Sequence, residues 1–573
     1  MVEQIFIQLG LIFFTAFIIS YIVRLFNQPI VIGYILAGII ASCMISVGFM
    51  NLDASSEVIS LFSKFGVAFL LFMVGLHMNP KVIKEIGLVS MLIGFGQIIL
   101  TFILGMIFCT YFLGFNFLTS IYVAIALAFS STIIVMKLLS DKRCLDSLYG
   151  KVSIGVLIIQ DLVAIFVLVF ISSLGNGFVS DASVLTSLIS GGGLVLLLFF
   201  VGYFMLPHFV KRIASSQELL FLFSICWCFI IAALFSYFGF SIEIGALLAG
   251  IALSISQYSI EISSKVKPLR DFFLIIFFII LGLNMQISNF GSIVLNAVIL
   301  SIFVLLLKPV ITMGLMAMMG YTKRTNFMVG TAIAQISEFS LIILALGVVS
   351  SQISPDILST LTFTAIITIT LSTYLISYSN GIYPKISGVL SIFEKSNLRK
   401  NKKMDKKYDS ILFGYNRIGF GILESFKKMK NDYLVVDFNP DTIETLSRFR
   451  IPCIYGDAYD SDFLKDLPLK KVSLVVSTIP DFETNVLLVE YFRTINPEAV
   501  IILRASNIKD ALELYKKGAS YVLTPHFLGG EYVAHMILEG KTNEKEYKLE
   551  KDKHIKMLND RARFGHEGHS ESN

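Results

Sequence analysis

Three ionisable residues interrupt stretches that are otherwise apolar enough to cross a bilayer. Asp161 follows Gln160 inside the run Val152–Phe170, Lys308 follows Val304–Leu307, and Glu338 follows Gln335 and Ser337. A fourth apolar stretch carries a polar break, Ser130-Ser131-Thr132. A charge at mid-membrane costs about 2.5–3.5 kcal/mol on insertion scales, so an acid kept there is a candidate for binding a cation or a proton. Desolvation disfavours the charged carboxylate, so proton and cation compete for the same oxygens. One carboxylate carries one charge, and the simplest cycle then exchanges one cation for one proton without net charge movement. Lys308 admits two readings: it pairs with Asp161 when the cation is absent, or it snorkels or pairs structurally.

A second set of residues points to phosphate chemistry. Ser410–Phe413 reads as a strand that opens into a helix through Gly414-Tyr415-Asn416-Arg417-Ile418-Gly419. The strand Tyr433–Val436 ends in Asp437, 23 residues after Gly414. Amides at a helix N-terminus bind phosphate, and an acid at this spacing bonds ribose hydroxyls, as in dinucleotide-binding folds. Asn416 stands where that fingerprint has its second glycine, and its side chain crowds a pyrophosphate. Gly456-Asp457, Ser477-Thr478, Asn485 and Arg504-Ala505 supply further polar positions downstream.

The elements that position these residues divide by composition. The 573 residues are 55% hydrophobic and 15% charged, which excludes an ordinary soluble protein. Residues 4–379 are almost continuously apolar, whereas the segment from about 398 reads as a soluble α/β domain. Cutting at turns and charges gives about thirteen spans of the required ~20 residues, near 4–23, 29–48, 60–77, 86–111, 117–139, 151–173, 183–206, 217–237, 241–256, 268–286, 291–319, 326–350 and 357–379. Basic residues fall on alternate connections, at Arg24, Lys81, Lys84, Lys142, Arg143, Lys211, Arg212, Lys267, Arg270, Lys323 and Arg324, with Lys64 the exception. That bias places those connections and the C-terminal domain in the cytoplasm and the N-terminus outside, in a plasma (inner) membrane protein. The net charge of +5 is explained by loop lysines and arginines and is no sign of nucleic-acid binding. The six cysteines are scattered and suggest neither a disulfide framework nor a metal site. No leader is expected, because the N-terminus lacks a basic stretch before its first apolar run.

The interruptions in the fifth and twelfth spans point to an inverted-repeat carrier with broken helices at mid-membrane. The domain reading is therefore 1–380 for the membrane domain, 381–407 for a basic linker lying against anionic headgroups, 408–535 for a nucleotide-binding domain and 536–573 for a charged tail. The tail histidines read as incidental.

Six ordered motifs, among them Gly33-Tyr34 to Gly38, Leu70 to Gly75 and His77, Ser130-Ser131-Thr132, Gln160-Asp161, Glu243 to Gly250 and Phe277 to Gly282, resemble the Kef-type cation:proton antiporters. That resemblance implies a Na⁺/H⁺-antiporter fold with a scaffold that dimerises and a mobile core. It also implies exchange of K⁺ (or Na⁺) for H⁺, and an ancillary regulatory protein as a possible partner. Gln160 beside one acid is similar to the potassium-coupled members, whereas related sodium antiporters carry two acids. Ser337-Glu338-Phe339 resembles the family's Gly-Glu-Phe element, which leaves Glu338 as a neutraliser of helix ends or as a cation ligand. The segment 408–535 resembles the Trk or regulator-of-conductance domains, which implies a regulatory adenine nucleotide, AMP, NAD(H) or ATP, at Gly414, Asn416, Arg417, Gly419, Asp437, Asp457, Thr478 and Arg504. Glutathione-gated members carry an acidic, histidine-containing segment before the tenth span; here 256–270 is basic and lacks histidine. Three rivals are a nucleotide-gated potassium channel, a non-transporting nucleotide sensor and a membrane-anchored NAD(P) oxidoreductase. The chain has no Thr-Val-Gly-Tyr-Gly filter and no catalytic constellation, so the reading is a carrier rather than an enzyme.

Overall fold

The computed structural model describes residues 2–46, 57–77, 88–142, 144–145, 147–174, 193–194, 198, 200–214, 216–238, 242–285, 290–393, 408–415, 417–429, 431–456, 458–459, 463–464, 467, 469, 471–538, 548, 551–552, 554–555 and 558–559. They fall into two compact units. The first comprises Met1–Lys142, Val152–Leu315 and Met328–Ile382; the second comprises Arg143–Lys151, Met316–Phe327 and Tyr383–Asn573. The linker residues 394–407 and the tail histidines His566 and His569 lie outside the described residues.

The first unit is helical. The described helices named with it are α1 (Val2–Leu25), α2 (Ile30–Ser46), α3 (Glu57–His77), α4 (Leu88–Tyr111), α5 (Phe117–Ala128), α6 (Thr132–Asp141), α7 (Leu148–Leu174), α8 (Leu206–Ile213), α9 (Gln217–Tyr237), α10 (Ile242–Ser254), α11 (Ser259–Leu283), α12 (Phe290–Ile302), α13 (Lys308–Met318), α14 (Lys323–Ala332), α15 (Glu338–Val349) and α16 (Pro355–Ser377). Three of them, α7, α13 and α14, have residues that belong to the second unit. Six described stretches are long and apolar enough to cross a membrane, and five further apolar helices are shorter. The tenth span, expected over 268–286, begins earlier: α11 runs from Ser259 with Pro268 inside it. Helices α1, α2, α3, α10 and α11 pack as one group, and α4, α5, α12, α15 and α16 as another.

Helices in lipid gain nothing from excluding water between apolar faces, so close backbone approach at small residues decides their packing. Two crossings show this. A Cβ on Gly38 of α2 would lie 2.0 Å from Ile279 O, and one on Gly282 of α11 would lie 2.2 Å from Ile35 O. A Cβ on Gly75 of α3 would lie 2.4 Å from Leu247 O, and one on Gly250 of α10 would lie 2.1 Å from Phe72 O. The four motif glycines are thus two reciprocal helix crossings. Gly282→Val forces α2 and α11 apart and is expected to cost about 1–3 kcal/mol or more, read as a lower Tm in detergent. Gly10→Ala, whose Cβ meets nothing within 4 Å, is expected to leave the Tm unchanged.

The second unit contains β1 (Ser410–Phe413), α18 (Arg417–Met429), β2 (Tyr433–Asp437), α19 (Pro440–Arg448), β3 (Cys453–Tyr455), β4 (Leu474–Ser477), α20 (Phe482–Ile495), β5 (Val500–Arg504), α21 (Ile508–Lys516), β6 (Tyr521–Leu523) and α22 (Pro525–Leu538); α17 (Ser379–Ile386) precedes them and bridges the two units' limits. The six strands are parallel in the order β3-β2-β1-β4-β5-β6. The central strands are buried on both faces, as the continuous apolar runs Ile411–Phe413 and Leu434–Val436 require. Strand order reverses between β1 and β4, so a crevice opens beyond the carboxyl ends of these strands, where ligands of such sheets bind.

Candidate functional site

Both interrupted spans are broken helices. The first stops at Ala128, passes through Phe129 and Ser131 in extended conformation, and restarts at Thr132. The second stops at Ala332 and restarts at Glu338 after an extended Ser337. Serine caps each restart: Ser131 Oγ accepts from Ile134 N–H at 3.4 Å, and Ser337 Oγ accepts from Phe339 N–H at 3.1 Å. The breaks are tied together. Ser130 Oγ donates to Ile333 O at 2.9 Å, Gln335 Nε2 to Ser131 O at 3.3 Å, and Ser340 Oγ to Ala126 O at 2.6 Å.

A broken helix exposes freed carbonyls and amides that water cannot satisfy in a bilayer. Side chains satisfy them here according to charge. Lys308 is fully buried, and its Nζ donates to Phe129 O at 2.7 Å and Gln335 O at 2.9 Å. The ammonium thus sits on the carbonyls that follow α5 and α14, the negative ends of their dipoles. Carboxylates occupy the opposite ends. Glu338 is the first residue of α15. Asp161 Oδ2 accepts from Thr132 Oγ1 at 2.9 Å, and Thr132 is the first residue of α6. Asp161 and Glu338 remain partly exposed, whereas Lys308, Gln160 and Gln335 are wholly buried. Two partly accessible acids thus stand near the two breaks, and a buried lysine lies on the freed carbonyls.

Of the residues singled out from sequence, the structure brings together Ser130, Ser131, Thr132, Gln160, Asp161, Lys308 and Glu338 around the crossing. In this state Lys308 donates to the two carbonyls rather than to Asp161. Gln160 reaches the first break itself, since its Oε1 accepts Ser130 N–H at 2.8 Å. Gln97, Thr101 and Ser372 were not singled out. Gln97 bonds Gln160, and Ser372 Oγ donates to Gln335 Oε1 at 2.7 Å. A lone glutamine within the apolar run 86–111 was the available signal for Gln97.

In the second unit the nucleotide-type residues gather at the carboxyl ends of β1, β2, β4 and β5. Gly414 has φ +87°, a conformation that favours glycine. A Cβ on Gly414 would lie 2.8 Å from Thr478 Oγ1, and one on Gly419 would lie 2.4 Å from Gly414 O. At these two positions there is therefore room for backbone only. Thr478 Oγ1 donates to Gly414 O at 3.0 Å, and Arg504 Nη1 to Thr478 O at 3.4 Å. Asp437 is buried; its Oδ2 accepts Tyr415 N–H at 2.6 Å and its Oδ1 accepts Asn439 N–H at 2.8 Å. Asn416, Asp457 and the Arg417 side chain lie outside the described residues. Tyr459, two residues beyond Asp457, lies under the Arg324 guanidinium, 3.9 Å from its ring centroid, within the same unit.

Burial pushes the Asp437 carboxyl up from its ordinary 3.8 to about 6, against the amide bonds from Tyr415, Asn439 and Phe438 that favour its ionised form. Two opposite pH dependences follow. The folded state holds its proton more tightly than the unfolded chain, so this group's stabilising contribution is full below about 3.8 and is lost as pH rises through about 6. For a ribose hydroxyl held at Asp437 the ionised acceptor would be the stronger one, so nucleotide affinity is expected to fall as pH drops through about 6. Calorimetric titration of the purified full-length protein with AMP and NAD⁺ between pH 7.5 and 5 is expected to show that loss, and Asp437→Asn is expected to flatten it.

The segment 12–377 matches the family described as "Sodium/hydrogen exchanger, transmembrane", and 410–525 matches the TrkA-N domain. The glutathione-regulated potassium-efflux system protein KefC of Escherichia coli (strain K12) is 26% identical over 537 residues, covering 91% of this chain and 83% of the relative. KefC of Shigella flexneri serotype 5b shows the same identity over 539 residues, with the same coverage. Among solved structures, the sodium proton antiporter MjNhaP1 from Methanocaldococcus jannaschii is similar at 14% identity and TM-score 0.48, over 68% of this chain and 99% of that one.

Proposed function

Because the chain belongs to the sodium/hydrogen exchanger transmembrane family, we propose that it is a monovalent cation:proton antiporter that works through Asp161 and favours K⁺ over Na⁺. The family and the named relatives are transporters, not enzymes. One observation carries the site: a partly exposed carboxylate accepts the Thr132 hydroxyl at the restart of one broken helix, where a second broken helix crosses it. Lys308 holds the crossing and Glu338 neutralises the helix start beside it, which leaves Asp161 as the shared seat for one proton or one cation. The preference for K⁺ rests on the potassium-efflux names of the relatives and on a single acid following Gln160.

The protein would lie in the inner membrane with its TrkA-N domain in the cytoplasm, bind an adenine nucleotide at Gly414, Gly419 and Asp437, and respond to it by a change in exchange rate. Support for gating comes from the second unit, where the loop after β3 touches Arg324 through Tyr459. Arg324 lies on α14, the half-helix that leads into the second break. A scaffold dimer and an ancillary regulator belong to the same reading. Glutathione control does not, since 256–270 lacks the acidic, histidine-containing segment. Proteoliposomes loaded in turn with K⁺, Na⁺, Rb⁺ and Li⁺, with and without AMP or NAD(H), test this reading. The expected result is K⁺-driven proton flux that nucleotide alters. Cation flux without proton counter-flow would favour the channel reading, and no flux at all would favour a sensor.

A further inference from the structure

Gln97 of α4 is wholly buried and belongs to a directed chain of hydrogen bonds that runs through Gln160, the residue before Asp161 in sequence. The Ser130 amide can only donate, so the Gln160 oxygen must face it, at 2.8 Å. That orientation turns the Gln160 amide nitrogen toward Gln97, whose Oε1 accepts at 2.6 Å. The Gln97 nitrogen must then point the other way, and it donates to Ala128 O at 3.2 Å and to Thr101 Oγ1 at 2.9 Å. Ala128 is the last residue of α5, and its carbonyl is one that the break sets free. Every orientation in the chain follows from one main-chain N–H, so neither glutamine can flip without setting donor against donor or acceptor against acceptor.

We propose that Gln97 is a positioning residue for cation recognition: it locks the orientation of Gln160 and the free carbonyl of α5, and thereby sets the shape of the site next to Asp161. The inference rests on the reading of Asp161 as the exchange site. Gln97 itself touches no transported ion. Without it, the Gln160 nitrogen and Ala128 O are left unpartnered in an apolar surrounding, and the break relaxes toward other partners.

Two variants, Gln97→Leu and Gln97→Glu, test this by proton flux in proteoliposomes, with apparent KM and Vmax for K⁺, Na⁺, Rb⁺ and Li⁺. Leucine removes both ends of the relay. An orphaned buried amide is expected to raise the apparent KM for the preferred cation by about fivefold or more and to compress the ranking among cations. A protonated glutamic acid keeps one acceptor and one donor in the places of the amide, so Gln97→Glu is expected to retain the wild-type ranking at the acid end of the assay. Gln97→Leu with a lowered Vmax but unchanged KM and cation ranking would overturn the proposal, since that is what a merely structural residue gives. So would a Gln97→Glu ranking that departs from wild type at the acid end of the assay, which is measurable even if the leucine variant does not fold. Absence of cation-driven flux in the wild type would instead sink the antiport reading, so the two failures are distinct.

Discussion

Asp161→Asn is expected to abolish cation-driven proton flux while leaving the protein folded. The substitution keeps size and shape, and its amide oxygen still accepts the Thr132 hydroxyl that now meets Asp161 Oδ2 at 2.9 Å. What disappears is the charge, and with it the ability to hold either a proton or a cation. Lys308 cannot replace it, being committed to two carbonyls, and Glu338 stands at the start of α15, at the other break. A dye-reported pH gradient in proteoliposomes is expected to stay flat on adding K⁺, and the Tm in detergent is expected to match wild type. Undiminished exchange in this variant would remove Asp161 from the site.

Lys308→Met is expected to lose both exchange and stability. Methionine fills similar space but leaves Phe129 O and Gln335 O without the donor that bridges them at 2.7 and 2.9 Å. An unsatisfied buried acceptor costs about 1–3 kcal/mol, and two are exposed at once, at the ends of two half-helices whose dipoles no longer meet a positive charge. The expected reading is a clear drop in Tm together with collapsed flux, in contrast to Asp161→Asn. If Lys308 served chiefly as the partner of Asp161, removing either residue would disturb the other and both variants would lose stability. A Lys308→Met protein with wild-type Tm would rule out the bridging role.

The positions of both breaks were legible in the sequence because polar residues, Ser130-Ser131-Thr132 and Ser337-Glu338, sit where an apolar helix has no use for them. The parallel sheet was legible for a similar reason, since apolar strands such as Ile411–Phe413 alternate with helical segments and end in Gly414 or Asp437. The partners of Lys308 were not. Its direction depends on a π-helical turn over Phe303–Leu307 that shifts the phase of the helix just before it, and five apolar residues carry no mark of such a turn. Gln97 was equally opaque, because it meets Gln160 across 63 positions of chain and a single buried glutamine does not say which helix it faces. The role of Asp437 was half visible: its place at the end of β2 follows from spacing, whereas its hold on the Tyr415 amide depends on how the glycine turn folds back.

One proton exchanged for one cation at a single carboxylate moves no net charge. Wild-type proteoliposomes with a fixed K⁺ gradient, clamped by ionophore first at zero membrane potential and then at a large potential of either sign, test it directly. The rate of proton flux is predicted to be the same at all three potentials. A rate that rises with one polarity and falls with the other would mean that net charge crosses per cycle, and would contradict one-for-one exchange at Asp161 as the single shared seat.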